Sequence, residues 1–385
     1  MKNGSQIAIV GVGETEFRRR HDRHVASLVV EAARAAIDES GLKPEDIDGF
    51  ISPRGQPPAD EVALGVGATR RRYTTTNAYT PGAGPLAAIV EAKLAIDAGL
   101  ATAVLVTYGV QTSAPGGPYA FHATDSLKAD LEMPVGYYGQ PVYFAMLAAR
   151  YRHLYGLEPR QLGALAVAQR HWASMTPGAQ RPERITMEDY LASPMVAEPL
   201  HTLDCCLISD GAGAYVVTSA ERARDLAKPP AIVAGIASGS NRVTLTEMFT
   251  QNPDFLELAP QQSAGRAFEQ AGVGREDIDF AEVYDCFTIS VLLQLEGLGF
   301  CGIGEAGGFV EDGRTGPGGA LPINTHGGHL SHAYIPAVTH VIEAVRQIRG
   351  ERGEAQVPGA QVGLVSTFGG PDHATLILTA DGVSS

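Results

Sequence analysis

The sequence predicts an α/β protein built from two similar halves. Of its 385 residues, 44% are hydrophobic and 19% are charged, a balance typical of a globular protein with a sizeable core. Short apolar runs typical of buried strands alternate with Ala-rich segments of helical periodicity. One helix–turn–strand unit also occurs twice, 231 residues apart. A repeat over that distance indicates a duplicated half rather than a solenoid of short units.

The repeated unit covers residues 33–51 and 264–283. Each copy begins as an amphipathic helix, which stops at Gly41 or Gly272 because glycine readily adopts the left-handed conformation that ends helices. An acidic turn and an apolar strand follow in both copies. We therefore expect the two helix–strand pairs to occupy equivalent places in the fold.

The first half begins with an apolar run at residues 7–12, which we interpret as a strand. The run is too short to span a membrane, and no small-residue cleavage site follows it. A turn at residues 77–82 then opens onto a helix, and a buried strand is predicted at residues 103–107. The apolar stripe of that helix is expected to face the core with Leu86, Ile89, Val90 and Leu94.

The second half ends in an amphipathic helix after Pro336 and in two strands, residues 362–366 and 374–378. Between the halves, residues 111–141 are rich in Gly, Pro and aromatic residues and predict a cap or loop over the site.

These elements divide the chain into three parts. Residues 1–110 and 200–225 are assigned to the N-terminal half, residues 111–199 to the inserted loop and cap region, and residues 226–385 to the C-terminal half.

Charge and cysteine content narrow the class of protein. The net charge of −14 argues against nucleic acid or an anionic membrane as the main partner. The four cysteines show no C-x-x-C spacing, so neither a zinc ribbon nor a disulfide framework is predicted. We therefore expect a cytoplasmic protein.

Two segments point to chemistry: NTHGGHLSHAY at residues 324–334 and YDCF at residues 284–287. Both resemble active-site loops of the thiolase superfamily, in its sterol-carrier-protein thiolase branch. In that branch the first loop supplies a catalytic histidine and the second an oxyanion partner. Here Tyr334 and Tyr284 stand at those two positions, and Tyr79 falls where a thiolase keeps its nucleophilic cysteine.

The resemblance covers nearly the whole chain. It implies the thiolase fold, in which two duplicated α/β halves with mixed five-stranded sheets form αβαβα layers, with an inserted loop and cap region. It also implies a homodimer.

The tyrosine substitutions change the chemistry that is expected. A phenol, with an ordinary pKa of about 10, is a poor substitute for the thiolate that forms an acyl-enzyme. Cys286 is predicted to be a buried structural residue rather than a replacement nucleophile. What remains is stabilisation of an acyl-CoA enolate together with proton transfer, which suits a retro-aldol cleavage of a β-hydroxyacyl-CoA.

The same tyrosine pattern resembles the lipid-transfer-protein-type aldolases of bacterial steroid side-chain degradation. That resemblance implies a steroid substrate with a tertiary alcohol on the D-ring, cleaved to a 17-ketosteroid and propionyl-CoA. It further implies a small OB-fold and zinc-ribbon partner protein, with the homodimer forming part of a heterotetramer. No cofactor is expected in this chain, since CoA belongs to the substrate and any zinc to the partner.

The resemblance assigns catalysis to Tyr284 and Tyr334 as an acid/base and oxyanion pair, without deciding which is which. Asp285 is assigned to the catalytic set as well, to orient Tyr284 or to assist the proton transfer.

Four further residues are assigned to substrate binding or to the oxyanion site. Tyr79 is expected to line the substrate pocket, and His332 to orient the phenol of Tyr334. The Gly369 amide is a candidate oxyanion donor, and Gly328 belongs to the same set. The basic residues of the inserted region, Lys128, Arg181 and Arg184, are not assigned to CoA.

The spacing of His326, His329 and His332 suggests a metal site. Because no neighbouring carboxylate or thiol in the sequence completes a coordination sphere, we expect no metal. A G-x-G at residues 11–13 fails as a dinucleotide fingerprint, since Glu16 replaces its third glycine.

Two alternatives stay open at this point. The chain is either a conventional thiolase that uses an unexpected cysteine, Cys286 or Cys301, or a catalytically silent thiolase-like subunit that binds lipid or shapes another enzyme.

Overall fold

The computed structural model describes residues 5–113, 128–137, 139–240, 256, 260–369 and 372–383. Its strands are β1 (Ile7–Glu14), β2 (Gly49–Pro53), β3 (Tyr73–Asn77), β4 (Ala103–Gln111), β5 (Met195–Ala197), β6 (Leu200–His201), β7 (Asp210–Ser219), β8 (Ala231–Ser240), β9 (Phe280–Val283), β10 (Val362–Gly369) and β11 (Asp372–Ala380). Its helices are α1 (Val25–Ser40), α2 (Ala59–Val66), α3 (Gly84–Asp97), α4 (Gln140–Tyr155), α5 (Pro159–Ser174), α6 (Met187–Ala192), α7 (Ala220–Ala223), α8 (Pro260–Ala271), α9 (Thr288–Leu298), α10 (Ala306–Phe309), α11 (Gly328–Ser331) and α12 (Val338–Ile348).

The long strands hydrogen-bond in the order β3-β2-β4-β7-β1-β8-β11-β10-β9. In the first half, β2 pairs in parallel with β3 and β4, whereas β7 and β1 run antiparallel. In the second half, β9 and β10 are parallel, whereas β11 and β8 are antiparallel. The halves join where Ala8 pairs with Ile232 and Ile9 with Ala231. The strands of each half therefore form a mixed arrangement, as expected.

Local irregularities repeat between the halves, which confirms the predicted duplication. The pairing of β1 with β7 shifts register between Ile9 and Gly11, and the pairing of β8 with β11 shifts between Val233 and Gly235. The helices α1 and α8 are both followed by a left-handed glycine. One difference is that an isolated parallel bridge from Ala281 to Ile323 stands where the first half has β3, so the second half has four strands in the part described.

Helices α3 and α12 form the middle layer, since each contacts strands of both halves. Helix α1 covers the outer face of the first half, and α8 covers that of the second. The result is the expected αβαβα layering. One residue of the predicted core stripe was assigned wrongly: Leu94 is 64% exposed, because it lies near the end of α3, on the side of the helix opposite its packed face.

The inserted region packs on the second half, where α4 and α5 contact α9. The chain then returns through β7 and α7 to the first half. Of the predicted cap, residues 114–127 and 138 lie outside the described residues. Within the part of the chain that the structure describes, no helix combines the length and the apolar character that crossing a membrane requires.

Gly235 allows α8 to approach the sheet. A Cβ at this position would overlap the backbone carbonyl of Ala267, which cannot move without distorting the helix. Gly11 meets the carbonyl of Ala36 in the same way in the first half. Close backbone contact is therefore a feature that both halves share.

We expect Gly235→Ala to lower the free energy of unfolding by about 1–3 kcal/mol, because the added methyl group overpacks a rigid contact. Gly265→Ala is the matched control, since Gly265 lies in α8 with open space around it. That change is expected to be neutral or to stabilise by about 0.5–1 kcal/mol. Denaturant unfolding of the two variants measures the difference, and equal losses would contradict the close-contact explanation.

Candidate active site

Tyr284 lies directly after β9, where the strand turns toward α9. Its amide donates a hydrogen bond to the carbonyl of Ser366 at 2.9 Å. Its own carbonyl accepts from the side chains of Gln294 at 2.6 Å and Ser290 at 3.1 Å. These contacts fix the backbone of Tyr284 at the carboxyl ends of β9 and β10. They thereby limit the positions that its phenol can take.

Tyr334 follows the short helix α11. The Asn324 side chain attaches this loop to β9, since its Nδ2 donates to the Val283 carbonyl at 2.9 Å and its Oδ1 accepts from the Val283 amide at 2.7 Å. The Tyr334 amide donates to Ser209 Oγ at 2.8 Å. Together these bonds bring the hydroxyls of Tyr284 and Tyr334 to 3.0 Å from each other.

The two phenols share a buried environment. Tyr284 is 5% exposed, and Tyr334 is partly exposed. Burial raises the pKa of both hydroxyls well above the ordinary value, and for Tyr284 the neighbouring Tyr334 adds to the effect. Their mutual hydrogen bond works in the opposite direction for Tyr334, whose ionised form it stabilises. Both phenols are therefore neutral at ordinary pH, and a hydrogen bond from Tyr284 stabilises the ionised form of Tyr334 when it arises.

Asp285 supports the loop rather than bonding the phenols. Its carboxylate accepts the backbone amides of His329 at 2.9 Å and Leu330 at 3.2 Å. Gly328, with φ of +60°, is needed here because a Cβ would overlap the Asp285 carboxylate. Although burial raises the pKa of Asp285, its contacts with His329 and His340 outweigh this and lower the pKa. The carboxylate of Asp285 is therefore ionised and positions the loop, and its part in the proton transfer stays a prediction.

His329 is the histidine that contacts the tyrosine pair, and sequence reasoning missed it. Its ring meets the rings of Tyr284 and Tyr334 edge-on, with centroids 4.9 Å and 5.2 Å apart. Burial keeps the pKa of His329 well below the ordinary value, so this imidazole is neutral. Spacing alone did not distinguish it from His326 or His332, because only the helical turn of α11 decides which ring faces the phenols.

His332 does not take the role expected for it. Its buried ring packs edge-on against Phe17 at 5.2 Å and His326 at 5.0 Å between centroids. The sequence-based contact with the Tyr334 hydroxyl is not formed, because the turn of α11 carries this side chain toward Phe17.

Tyr79 is half-buried, and its hydroxyl lies 3.0 Å from Ser238 Oγ on β8. The structure therefore places it in a different contact from the Tyr284–Tyr334 pair. The next residue, Thr80, donates its hydroxyl to the Gly369 carbonyl at 2.5 Å.

Gly369 ends β10, one residue after Phe368, whose ring lies 5.6 Å from that of Tyr284. The end of β10 therefore lies between the Tyr79 turn and the tyrosine pair. A Cβ at Gly369 would overlap the Thr80 hydroxyl, which explains the glycine. Its carbonyl is engaged by Thr80, and an oxyanion role for its amide stays a prediction.

The cysteines lack the features of a nucleophile. Cys286 is buried, as predicted, with its Sγ 3.9 Å from Ser290 Oγ. Burial raises the pKa of Cys205 and of Cys301 to about 12, and that of Cys206 well above its ordinary value. A catalytic thiolate needs a lowered pKa, so these three thiols do not fit the role.

The sequence-based argument against a metal site, that no carboxylate lies near the histidines, is wrong. Folding brings two carboxylates to the histidines: Glu282 lies 3.1 Å from His326, and Asp285 lies 3.3 Å from both His329 and His340. The two acidic residues lie 44 to 55 positions before these histidines in the sequence, and β9 and the turn that follows it bring them to the loop.

Arg181 and Arg184, two basic residues of the inserted region, make different contacts. The backbone amide of Arg181 donates to the Ser331 carbonyl at 3.0 Å, which places this residue beside the site loop. Arg184 instead contacts His171 at 3.1 Å.

Comparison with known proteins identifies the family to which this chain is similar. A family model described as thiolase C-terminal domain-like matches residues 242–380. A steroid side-chain-cleaving aldolase of Thermomonospora curvata is 38% identical, over 97% of this chain and 98% of its own length. A 17-hydroxy-3-oxo-4-pregnene-20-carboxyl-CoA lyase of Mycobacterium tuberculosis is also 38% identical, over 97% of this chain and 99% of its own.

Solved structures give the same result. The Ltp2-ChsH2(DUF35) aldolase superposes with a TM-score of 0.90 at 35% identity and covers 99% of both chains. Human mitochondrial 3-ketoacyl-CoA thiolase, at 17% identity, shares the fold with a TM-score of 0.69 over 98% of this chain and 99% of its own. The chain therefore belongs to the thiolase superfamily, in the group of the steroid side-chain-cleaving aldolases.

Proposed function

We propose that this enzyme cleaves a carbon–carbon bond of a β-hydroxyacyl-CoA by a retro-aldol reaction. A base removes the proton of the β-hydroxyl group, and the oxygen electrons form the ketone. The bond between the α and β carbons breaks, and its electron pair enters the thioester as an enolate. Protonation at the α carbon then gives the shortened acyl-CoA.

The observation that carries this proposal is the 3.0 Å contact between the hydroxyls of Tyr284 and Tyr334. Acid–base assistance of this kind contributes roughly a hundredfold to ten-thousandfold in rate. A donor aimed at the thioester oxygen stabilises the developing enolate by about 3–4 kcal/mol. Two adjacent phenols supply both a proton acceptor and a donor, which is what the reaction requires.

Exposure favours one assignment of roles within the pair. Tyr334 is the less buried phenol, and its ionised form gains from the hydrogen bond of its partner. We assign Tyr334 as the base for the β-hydroxyl group and Tyr284 as the hydrogen-bond donor. Asp285 positions the loop that carries Tyr334, and the Gly369 amide is the candidate second donor to the enolate oxygen.

For the substrate, we infer a steroid thioester like the one that the mycobacterial relative's name specifies. In a 17-hydroxy steroid with a 20-carboxyl-CoA side chain, the hydroxyl is β to the thioester. Cleavage between C17 and C20 then leaves a 17-ketosteroid and propionyl-CoA.

We also propose that the enzyme acts as a homodimer together with a small partner protein. The support for the partner is the solved aldolase of 35% identity, whose name joins it to a DUF35 protein, and the homodimer is what the thiolase resemblance implies. The zinc ribbon that the family resemblance implies for such a partner would hold a zinc ion of its own.

Tyr284→Phe and Tyr334→Phe are each expected to lower kcat/KM by roughly a hundredfold to ten-thousandfold, since each removes a hydroxyl and keeps the ring packing. The assay follows ketone and propionyl-CoA release from the steroid thioester, with the partner protein co-expressed. Tyr79→Phe is the matched control and is expected to lose less than about tenfold, because its hydroxyl bonds Ser238. Wild-type rates in both pair variants would overturn the proposal.

The pH profile should show a base with a high pKa. Burial first, and then neighbouring groups, raise the pKa of Tyr334, so only a small fraction is ionised near neutral pH. Below its pKa that fraction increases about tenfold per pH unit, and kcat/KM should increase in parallel between about pH 6.5 and 9 when cleavage limits the rate. A plateau starting near pH 7 would indicate a different base.

The conventional thiolase reaction remains the second candidate, because an acetyl-CoA acetyltransferase of Methanothermobacter thermautotrophicus is 30% identical over 94% of this chain. The raised pKa values of the thiols disfavour it. Intact-mass spectrometry after incubation with acyl-CoA is expected to show no covalent acyl adduct, and an adduct on Cys286 or Cys301 would favour the thiolase. If no acyl-CoA turns over with the partner present, the chain is a silent subunit.

A further inference from the structure

Behind the tyrosine pair lies a buried cluster of five residues, which we call the histidine–carboxylate cluster: Glu282, Asp285, His326, His329 and His340. Glu282 lies on strand β9 and Asp285 two residues after its end, the 324–334 loop supplies two histidines, and α12 supplies the third. None of the five is more than 2% exposed.

Several polar atoms of the cluster have no hydrogen-bond partner. Both ring nitrogens of His326 lack one, and so do Nδ1 of His340 and Oε2 of Glu282. Yet Nδ1 of His326 lies only 3.1 Å from Glu282 Oε2. The atoms are close enough to bond but are not aligned for it. Buried polar atoms are nearly always paired, so a group of unpaired ones directed at each other indicates a shared ligand.

The charged residues of the cluster indicate the sign and the magnitude of the charge that such a ligand would carry. The nearby Glu343 is neutralised by Arg352, whose Nε lies 2.8 Å from it. Glu282 and Asp285 form ion-pair contacts only with histidines in the described part of the chain. Neither carboxylate therefore forms an ion pair with an arginine or a lysine in the described part of the chain, and a divalent cation shared with the histidines would balance their negative charge.

We propose that Glu282 Oε2, His326 Nδ1 and His340 Nδ1 bind one divalent metal ion, with zinc as the first candidate. Zinc binds imidazole nitrogen and carboxylate oxygen at about 2.0–2.2 Å. Ligands at such distances around a tetrahedral ion lie about 3.4 Å apart, close to the 3.1 Å between the Glu282 and His326 atoms. The candidate ligand atoms of the three residues all lie within 4.8 Å of one another.

Asp285 contacts the other ring nitrogen of His340, the one that does not bind the proposed metal ion. Its Oδ1 lies 3.3 Å from His340 Nε2, which leaves Nδ1 for the metal. A carboxylate that accepts the second ring N–H of a ligating histidine fixes the tautomer and strengthens the ligand. Asp285 also accepts the amides of His329 and Leu330. The ion would therefore join β9, α12 and the 324–334 loop, and we infer that it holds these three segments together.

The direct experiment is metal analysis of the full chain, purified through a tag without histidines from zinc-supplemented culture. Inductively coupled plasma mass spectrometry should find about one zinc per chain. Glu282→Gln and His340→Gln should each reduce that content at least fivefold. His373→Gln is the matched control, since His373 is also buried with unpartnered ring nitrogens but lies on β11 outside the cluster. It should keep the wild-type content.

A second measurement needs no variant. Replacing the zinc with cobalt in the wild-type chain should give visible absorption typical of a four-coordinate nitrogen and oxygen site. A wild-type chain with less than about a tenth of an equivalent of any divalent metal, which also takes up none from added zinc, would overturn the proposal. Zinc that stays in both cluster variants would do so as well. Neither the metal content nor the cobalt absorption depends on cleavage of a substrate. The metal proposal, which is independent of the proposed function, can therefore fail while the aldolase function stands.

Discussion

The site depends on how one side chain joins two distant parts of the chain. Asn324 bonds both the amide and the carbonyl of Val283. Its backbone is left-handed, with φ of +52°, a conformation that asparagine tolerates better than most residues. This attachment sets the start of the 324–334 loop against the end of β9. The meeting of Tyr284 and Tyr334 follows from it.

Burial then decides what the two phenols can do. A phenol in water holds its proton weakly enough to lose it near pH 10, whereas burial here raises the pKa of both. The neutral ring of His329 supports them from one side, and Phe368 contacts Tyr284 from another. The environment therefore favours neutral hydroxyls that exchange a proton with each other and with a bound hydroxyl group. It does not favour a permanently charged nucleophile.

The polar groups beneath this pair form an unusual interior. Two carboxylates and three histidines lie within one buried cluster, where uncompensated charge is costly. Asp285 links the cluster to the catalytic loop through the amides of His329 and Leu330. The same carboxylate therefore contacts both the buried cluster and the loop that carries Tyr334, so we expect a change in the cluster to alter the position of that loop.

The sequence by itself determined the duplicated α/β architecture, because helix periodicity, stopping glycines and apolar strands are local signals. It also identified Tyr284 and Tyr334, because their loops carry recognisable motifs. Only the tertiary structure decided which of three similar histidines meets the phenols, that Asp285 holds the loop, and that Glu282 joins the histidines. Side-chain direction in a four-residue helix and the approach of segments some 40 residues apart depend on packing, which no local pattern encodes.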